Sequence, residues 1–204
     1  MKLIITRHGQ TIWNTQLRTQ GRTDIPLNDM GRLQSGRFAA LCKPGSVSAI
    51  YCSPLQRARE TAAIIGDALC LTPRDSRWML ERDFGEWEGR PFSELETLFP
   101  RDVESWLHDP AGYTPPGAEP LTGVLSRCIR LIDELKTSHT DAETILLVGH
   151  SIPLKLTVMY LVGMDVSHIH NIVLDNASYT EVELLQTYNR VLTLNNTSHL
   201  RGIA

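Results

Sequence analysis

Short apolar runs alternate with longer amphipathic stretches along most of this chain. Leu3, Ile4, Ile5 and Thr6 form a run too short for a helix, so residues 3–6 read as a buried strand. A polar loop follows through Thr23 and Asp24. Asn28 and Asp29 then open a helix whose inward stripe is expected on Met30, Leu33, Arg37, Ala40 and Leu41. Residues 48–52 make a second strand. Ser53, Pro54 and Gln56 read as N-cap, first helical position and capping-box partner of a helix that continues through Leu55, Ala58, Ala62, Ile65 and Leu69. The clearest amphipathic helix carries Leu121, Val124, Leu125, Cys128, Ile129, Ile132 and Leu135. Residues 144–148 are a continuous apolar strand of the kind buried on both faces, and a helix over 153–162 follows. Two alternating segments, 179–185 and 191–194, predict a β-hairpin at one sheet edge.

Residues 80–118 break this rhythm. They contain Trp87, Phe99, Trp106 and several prolines, with Trp78 just before them. Short helices fit 92–98 and 101–108, and the Pro115-Pro116-Gly117 turn ends the stretch. It reads as a helical insertion covering a site, its aromatic residues serving as core before they serve as a ligand wall. The fold class expected is α/β: a three-layer sandwich with a mainly parallel central sheet, helices on both faces and an antiparallel C-terminal edge hairpin. Residues 1–204 are expected to form one domain, with about 80–118 as its cap.

Composition narrows the setting more than the chemistry. The 42% apolar and 21% charged content is that of an ordinary globular chain. A net charge of −3 with no block of like charges argues against nucleic acid or an acidic membrane as partner. No apolar run approaches the roughly 20 residues of a membrane span. Cys42, Cys52, Cys70 and Cys128 are widely spaced and read as free thiols of a reducing compartment. The N-terminus reaches Arg7 and His8 at once, with no apolar stretch of the signal-peptide kind. A cytoplasmic monomer or homodimer is expected.

In such sheets ligands bind beyond the carboxyl ends of the strands. The first strand is followed by Arg7 and His8, the second by Ser53 and then Arg57, the third by Gly149 and His150. Two guanidinium forks beside the helix start at 53–56 make an anion site suited to phosphate. Neighbouring arginines disfavour protonated imidazole, which leaves His8 able to attack phosphorus. His150 fits as a further donor to the phosphoryl oxygens. A leaving alkoxide needs a proton, and Glu81, Asp83, Glu86 and Glu88 are the acids at hand. Composition leaves open which one acts; a solvated acidic loop is the plainer reading for Asp83, Glu86 and Glu88.

Arg7-His8-Gly9-Gln10-Thr11, with Trp13-Asn14 and Gln20-Gly21 after it, resembles the signature of the histidine phosphatase (phosphoglycerate mutase-like) superfamily. Residues 52–62 (CSPLQRARETA) resemble its second motif and Val148-Gly149-His150-Ser151 its last. The resemblance implies that His8 is phosphorylated, that Arg7, Arg57 and His150 hold the phosphoryl group, and that Asn14 adds a hydrogen bond. It implies Glu81 as proton donor and Gln20 and Gly21 as a loop on the substrate side, with Thr11 and Ser53 in supporting or capping roles. It implies a small phosphorylated metabolite as substrate, with no cofactor and no metal. The one close histidine pair, His168 and His170, lacks a carboxylate shell and reads as a solvated loop feature.

Asp83-Phe84-Gly85-Glu86-Trp87-Glu88-Gly89 is similar to the small bacterial phosphatases, including α-ribazole phosphatases. Between residues 92 and 117 only Arg101 could help hold a bisphosphorylated intermediate, which favours a hydrolase over the mutase-type isomerase. A non-catalytic phospho-ligand binding module is the remaining alternative. The chain departs from the Pro-Gly-Gly-Glu-Ser pattern of those phosphatases at Pro116-Gly117-Ala118-Glu119-Pro120, and from their usual glycine at Ser151 to Pro153. The first change is expected to remove a hydroxyl near the pocket rim, and both bear on which substrate fits.

Overall fold

The computed structural model describes residues 1–203. In chain order the elements are β1 (Lys2–Arg7), α1 (Ile12–Thr15), α2 (Asp29–Ala39), β2 (Ala49–Cys52), α3 (Gln56–Leu69) and β3 (Arg74–Asp75). Then come α4 (Phe92–Leu98), α5 (Pro100–His108), α6 (Leu121–Ser138), β4 (Thr144–Gly149), α7 (Ser151–Val162), β5 (Tyr179–Leu184) and β6 (Asn189–Asn196). The six strands form one sheet in the order β3-β2-β4-β1-β5-β6. β3, β2, β4 and β1 run parallel, and the C-terminal hairpin joins β1 antiparallel. This is the α/β sandwich the pattern predicts. The two-residue β3 was too short to leave a periodic signal.

The central strand explains the layers. Side chains alternate across a strand, so β4 feeds both faces at once. Ile145 and Leu147 join Leu3 and Ile5 of β1 against α6 and α7, in the cluster that holds Val124, Cys128, Ile132 and Leu156. Leu146 and Val148 join Ile50 and Cys52 of β2 against α2 and α3, with Phe38, Ala58, Ala62 and Ile65. Residues 145–148 are fully inaccessible, and truncating Leu147 to Ala would cost about 2–5 kcal/mol. Trp87, Leu95, Val103 and Trp106 belong to the first of these clusters, so the 80–118 stretch shares a core with the sheet.

Two local expectations are corrected. The inward face of α2 is Gly31, Gln34, Ser35, Phe38 and Ala39, while Leu33 and Leu41 stay exposed. The cause is a backbone contact that the apolar pattern does not encode. A Cβ on Gly9 would lie 2.3 Å from the Gly31 oxygen, and one on Gly31 would lie 2.1 Å from the Gln10 oxygen. Gln34 then accepts the Gln10 amide at 2.9 Å. The loop after β1 therefore turns the small, polar face of α2 inward. Helix α3 starts at Gln56 behind an N-cap at Leu55, and Ser53 does not cap it. The Ser53 hydroxyl is engaged by His150 at 2.8 Å, and the Gln56 amide donates instead to Asp24 at 2.7 Å. The positive end of α3 thus meets a carboxylate of the chain itself.

Candidate active site

Register levels the three strand ends. Arg7 lies opposite Gly149 and Cys52 opposite Val148. The His8 amide donates to the Gly149 carbonyl at 2.9 Å and the Ser53 amide to the Val148 carbonyl at 3.0 Å. His8 and His150 emerge side by side, ring centroids 5.1 Å apart. Arg7, His8, Asn14, Gln20, Gly21, Arg57 and Glu81 line one cavity of about 290 Å³, a size suited to a small metabolite. His150 stands directly behind, fully buried and outside the lining.

Hydrogen bonds fix the tautomers. His8 Nδ1 faces the Gly9 carbonyl oxygen at 2.7 Å. A carbonyl only accepts, so Nδ1 carries the proton and Nε2 keeps its lone pair. Burial, then Arg57 and Arg7, hold His8 well below its ordinary value of 6.5, which keeps the ring neutral. For His150, Arg57 Nε donates to Nδ1 at 3.2 Å, so Nε2 is protonated and donates to Ser53 Oγ. Burial, followed by the Arg57 charge, depresses His150 in the same direction.

The cations are held by backbone oxygens. Arg57, fully buried, donates to the Thr23 carbonyl at 2.9 Å and the Gly21 carbonyl at 2.7 Å. Its desolvation brings the guanidinium down to about 10. Arg7 donates to the Leu174 carbonyl at 2.8 Å, and its buried Nε has no partner. Burial lowers Arg7 as well, although Glu81 and Asp175 favour its charge. Asn14 Oδ1 accepts the Thr11 amide at 2.9 Å, within a capping box that Thr11 completes. That leaves Asn14 Nδ2 as the group free to meet a ligand.

Of the four acids, Glu81 alone lines the cavity. It is 6% exposed, and burial raises its carboxyl above the ordinary 4.5 in spite of the Arg82 amide and the arginine charges. Glu86 is exposed. Glu88 proves structural where a solvated loop was the plainer expectation. It accepts the amides of Arg22, Thr23 and Phe84 at 2.8, 3.0 and 3.1 Å, which pins the 20–23 loop. Gly21 sits there at φ +54°, and a Cβ would fall 1.8 Å from Glu88 Oε1.

The far wall held surprises. Trp87 and Trp106 are both buried core and cavity lining, joined by Phe84 and Phe92, whereas Phe99 packs only in the core. His170 is exposed and borders the cavity, its Nε2 donating to the Trp106 carbonyl at 3.0 Å. His168 is exposed. Arg18 and Lys155 also line the cavity and were missed. Lys155 is one helical turn beyond Ser151, a spacing that could have flagged it. Asn176, which donates to the His8 carbonyl at 3.0 Å, gave no signal at all. Residues 116–120 stay off the lining; Glu119 there pairs with Arg127 at 3.0 Å and Arg22 at 3.2 Å. The first departure from the family pattern therefore lies outside the cavity wall, whereas Ser151 and Ile152 of the second line it.

A neutral imidazole lone pair beside two fixed cations and a protonatable acid can accept and release a phosphoryl group. Fold and cup together mark a histidine phosphatase. The model of the Histidine phosphatase superfamily (branch 1) matches residues 3–197, and the chain belongs to that superfamily.

Among its relatives, phosphoserine phosphatase 1 of Hydrogenobacter thermophilus is 32% identical over 200 residues, 98% of this chain and 94% of that protein. The mycobacterial glucosyl-3-phosphoglycerate phosphatase, solved with VO3, superposes with a TM-score of 0.88 at 27% identity, covering 96% and 99% of the two chains. The α-ribazole phosphatase of Shigella flexneri gives 0.85 at 25% identity, with 96% of each chain covered. These comparisons place the chain among the phosphatases of the superfamily, as a phosphoric monoester hydrolase. Among the described residues no helix is long and apolar enough to cross a membrane, and all four cysteines are free thiols.

Proposed function

We propose that the enzyme cleaves small phosphomonoesters in two transfers through His8. In the first, His8 Nε2 attacks phosphorus and the bond to the alcohol oxygen breaks. Glu81 gives its proton to that departing oxygen, so the alcohol leaves neutral. Arg7 and Arg57 take the charge on the non-bridging oxygens, and Asn14 Nδ2 adds a hydrogen bond. His150 orients Arg57 and Ser53 behind them, and reaches a phosphoryl oxygen by exchanging its Ser53 bond. In the second transfer, Glu81 as carboxylate takes a proton from water, whose oxygen attacks phosphorus and frees His8. Gln20 and Gly21 border the alcohol side. The protein works in the cytoplasm, as a monomer or homodimer, with residues 80–118 as the cap of a single domain.

One observation carries the reading. The proton on His8 is held away from the cavity by the Gly9 carbonyl, while burial, reinforced by Arg57 and Arg7, keeps the ring neutral. The experiment is rapid quenching with labelled substrate. Phosphate should appear on His8 as an acid-labile, base-stable adduct formed and lost at rates consistent with turnover. Turnover without any such adduct would remove His8 from the reaction path. Activity should also persist in excess chelator; its loss there, restored by added metal, would overturn the mechanism.

A further inference from the structure

Phosphate answers only part of the charge in this cavity. Its lining holds Arg7, Arg18, Arg57 and Lys155 against one carboxyl group, Glu81. On the reading above Glu81 enters protonated, and His8 and His150 are neutral, so none of these offsets a cation. A phosphoryl dianion satisfies Arg7 and Arg57. Arg18 is tied to Gln16 Oε1 at 2.8 Å and to the Gly89 carbonyl at 2.6 Å.

Lys155 has no comparable partner. Its Nζ meets only the Ile169 carbonyl oxygen at 3.5 Å, beyond an ordinary hydrogen bond. Among the described residues no carboxylate lies within the 4.0 Å of an ion pair. The side chain is half-buried and shares its wall with Ile152, Trp106 and His170. An ammonium turned toward an apolar-walled cavity without a counter-ion is unfavourable unless a ligand brings the anion. Burial and the Arg7 charge both act against its protonated form, so an incoming anion gains there.

We propose that Lys155 binds a carboxylate on the alcohol portion of the substrate, so that the preferred substrates are phosphate esters of hydroxy acids. This rests on the phosphatase reading and adds a second charged anchor to it. The phosphoryl group sits in the cup at Arg7 and Arg57, the carboxylate sits at Lys155, and the carbon skeleton between them lies along Trp106 and Ile152. The rival role for Lys155 is to adjust Glu81, which contributes to its electrostatic surroundings.

Two esters that differ by a carboxylate alone, O-phosphoserine and O-phosphoethanolamine, separate these roles, with p-nitrophenyl phosphate as a third substrate. The wild type should favour phosphoserine over phosphoethanolamine by roughly tenfold or more in kcat/KM, as expected of a hydrogen bond to a charged group. Lys155→Met and Lys155→Gln should collapse that ratio toward one, mainly through the KM for phosphoserine. Lys155→Arg should keep most of it. A wild-type ratio near one overturns the proposal without any variant, and p-nitrophenyl phosphate turnover would then leave the phosphatase reading standing. A ratio that survives in both neutral variants, with the pH profile shifted alike for both esters, assigns Lys155 to Glu81 and overturns it too. No turnover of any of the three esters removes both readings.

Discussion

The two sides of this cavity are built by different means. The cup side comes from the ends of β1, β2 and β4, where strand register alone sets Arg7, His8, Ser53 and His150 in a row. The wall side comes from the loop at Glu81, a 3-10 turn at Trp87, the short helices α4 and α5 and the first two turns of α7, which contribute Glu81, Trp87, Phe92, Trp106 and Lys155. Chemistry common to all phosphate esters sits on the rigid part, and whatever distinguishes one alcohol from another sits on the irregular part. The cup also depresses its titratable imidazoles, whereas the wall raises its carboxyl group. A substitution on the cup should therefore slow all substrates, and one on the wall should sort them.

The largest effect expected is on the cup. His8→Ala should lower kcat by about 10⁴-fold or more for every ester, as loss of a nucleophile does. The ring's Nδ1 bond is to its own neighbour, so the melting temperature should move little. A sharp fall in melting temperature, or a residual rate that depends on the ester, would break the division between the two sides. Next comes the wall. Glu81→Gln should slow alkyl phosphates by about 10²–10³-fold and p-nitrophenyl phosphate by much less, since that leaving group departs without a proton. Equal slowing of both would deny Glu81 its role as acid.

The same division explains what was legible in the sequence. Strands with apolar runs end where the pattern ends, so the sequence alone places Arg7, His8 and His150 at the sheet edge. The start of α3 was misjudged because Ser53 has two uses open to it. Local sequence favours the cap, and the tertiary bond to His150 wins. The α2 stripe was misjudged because a glycine–backbone contact overrode apolar periodicity. Lys155, Arg18 and His170 come together only through the packing of α7, the 16–19 loop after α1 and the turn after Asp165. Beyond the one-turn spacing of Lys155 from Ser151, no short-range pattern encodes that convergence.

A smaller effect tests the hinge between the sides. Gly21 belongs to the loop that holds Arg57 through its carbonyl, yet it is fixed by Glu88 of the wall. Gly21→Ala puts a Cβ at φ +54° into Glu88 Oε1. Moving that carboxylate would break its bonds to Arg22, Thr23 and Phe84. Destabilisation of about 1–3 kcal/mol is expected, read as a lowered melting temperature. KM should rise for all esters alike because Arg57 is displaced. A normal melting temperature with unchanged KM would show that the loop and the wall are not coupled.

The smallest effect is in the pH dependence of stability, where the two sides pull in opposite directions. His8 and His150 have folded values below their ordinary 6.5, so the unfolded chain binds protons that the folded one refuses. Their contribution is complete above 6.5 and is lost progressively as pH falls from there through the folded values. His199, also depressed by burial, acts the same way. Glu81 has a folded value above its ordinary 4.5, so its contribution is complete below 4.5 and is lost as pH rises through the folded value. Between neutrality and about 4.5 the three imidazoles outweigh one carboxyl group, and the melting temperature should fall as the medium is acidified. Glu81→Gln removes the opposing part, so its melting temperature should fall more steeply than that of the wild type over the same interval. Thermal melts of both proteins at matched ionic strength decide it. A wild-type melting temperature that rises on acidification would mean that the cup imidazoles are charged in the folded state, and a charged His8 has no lone pair to offer phosphorus.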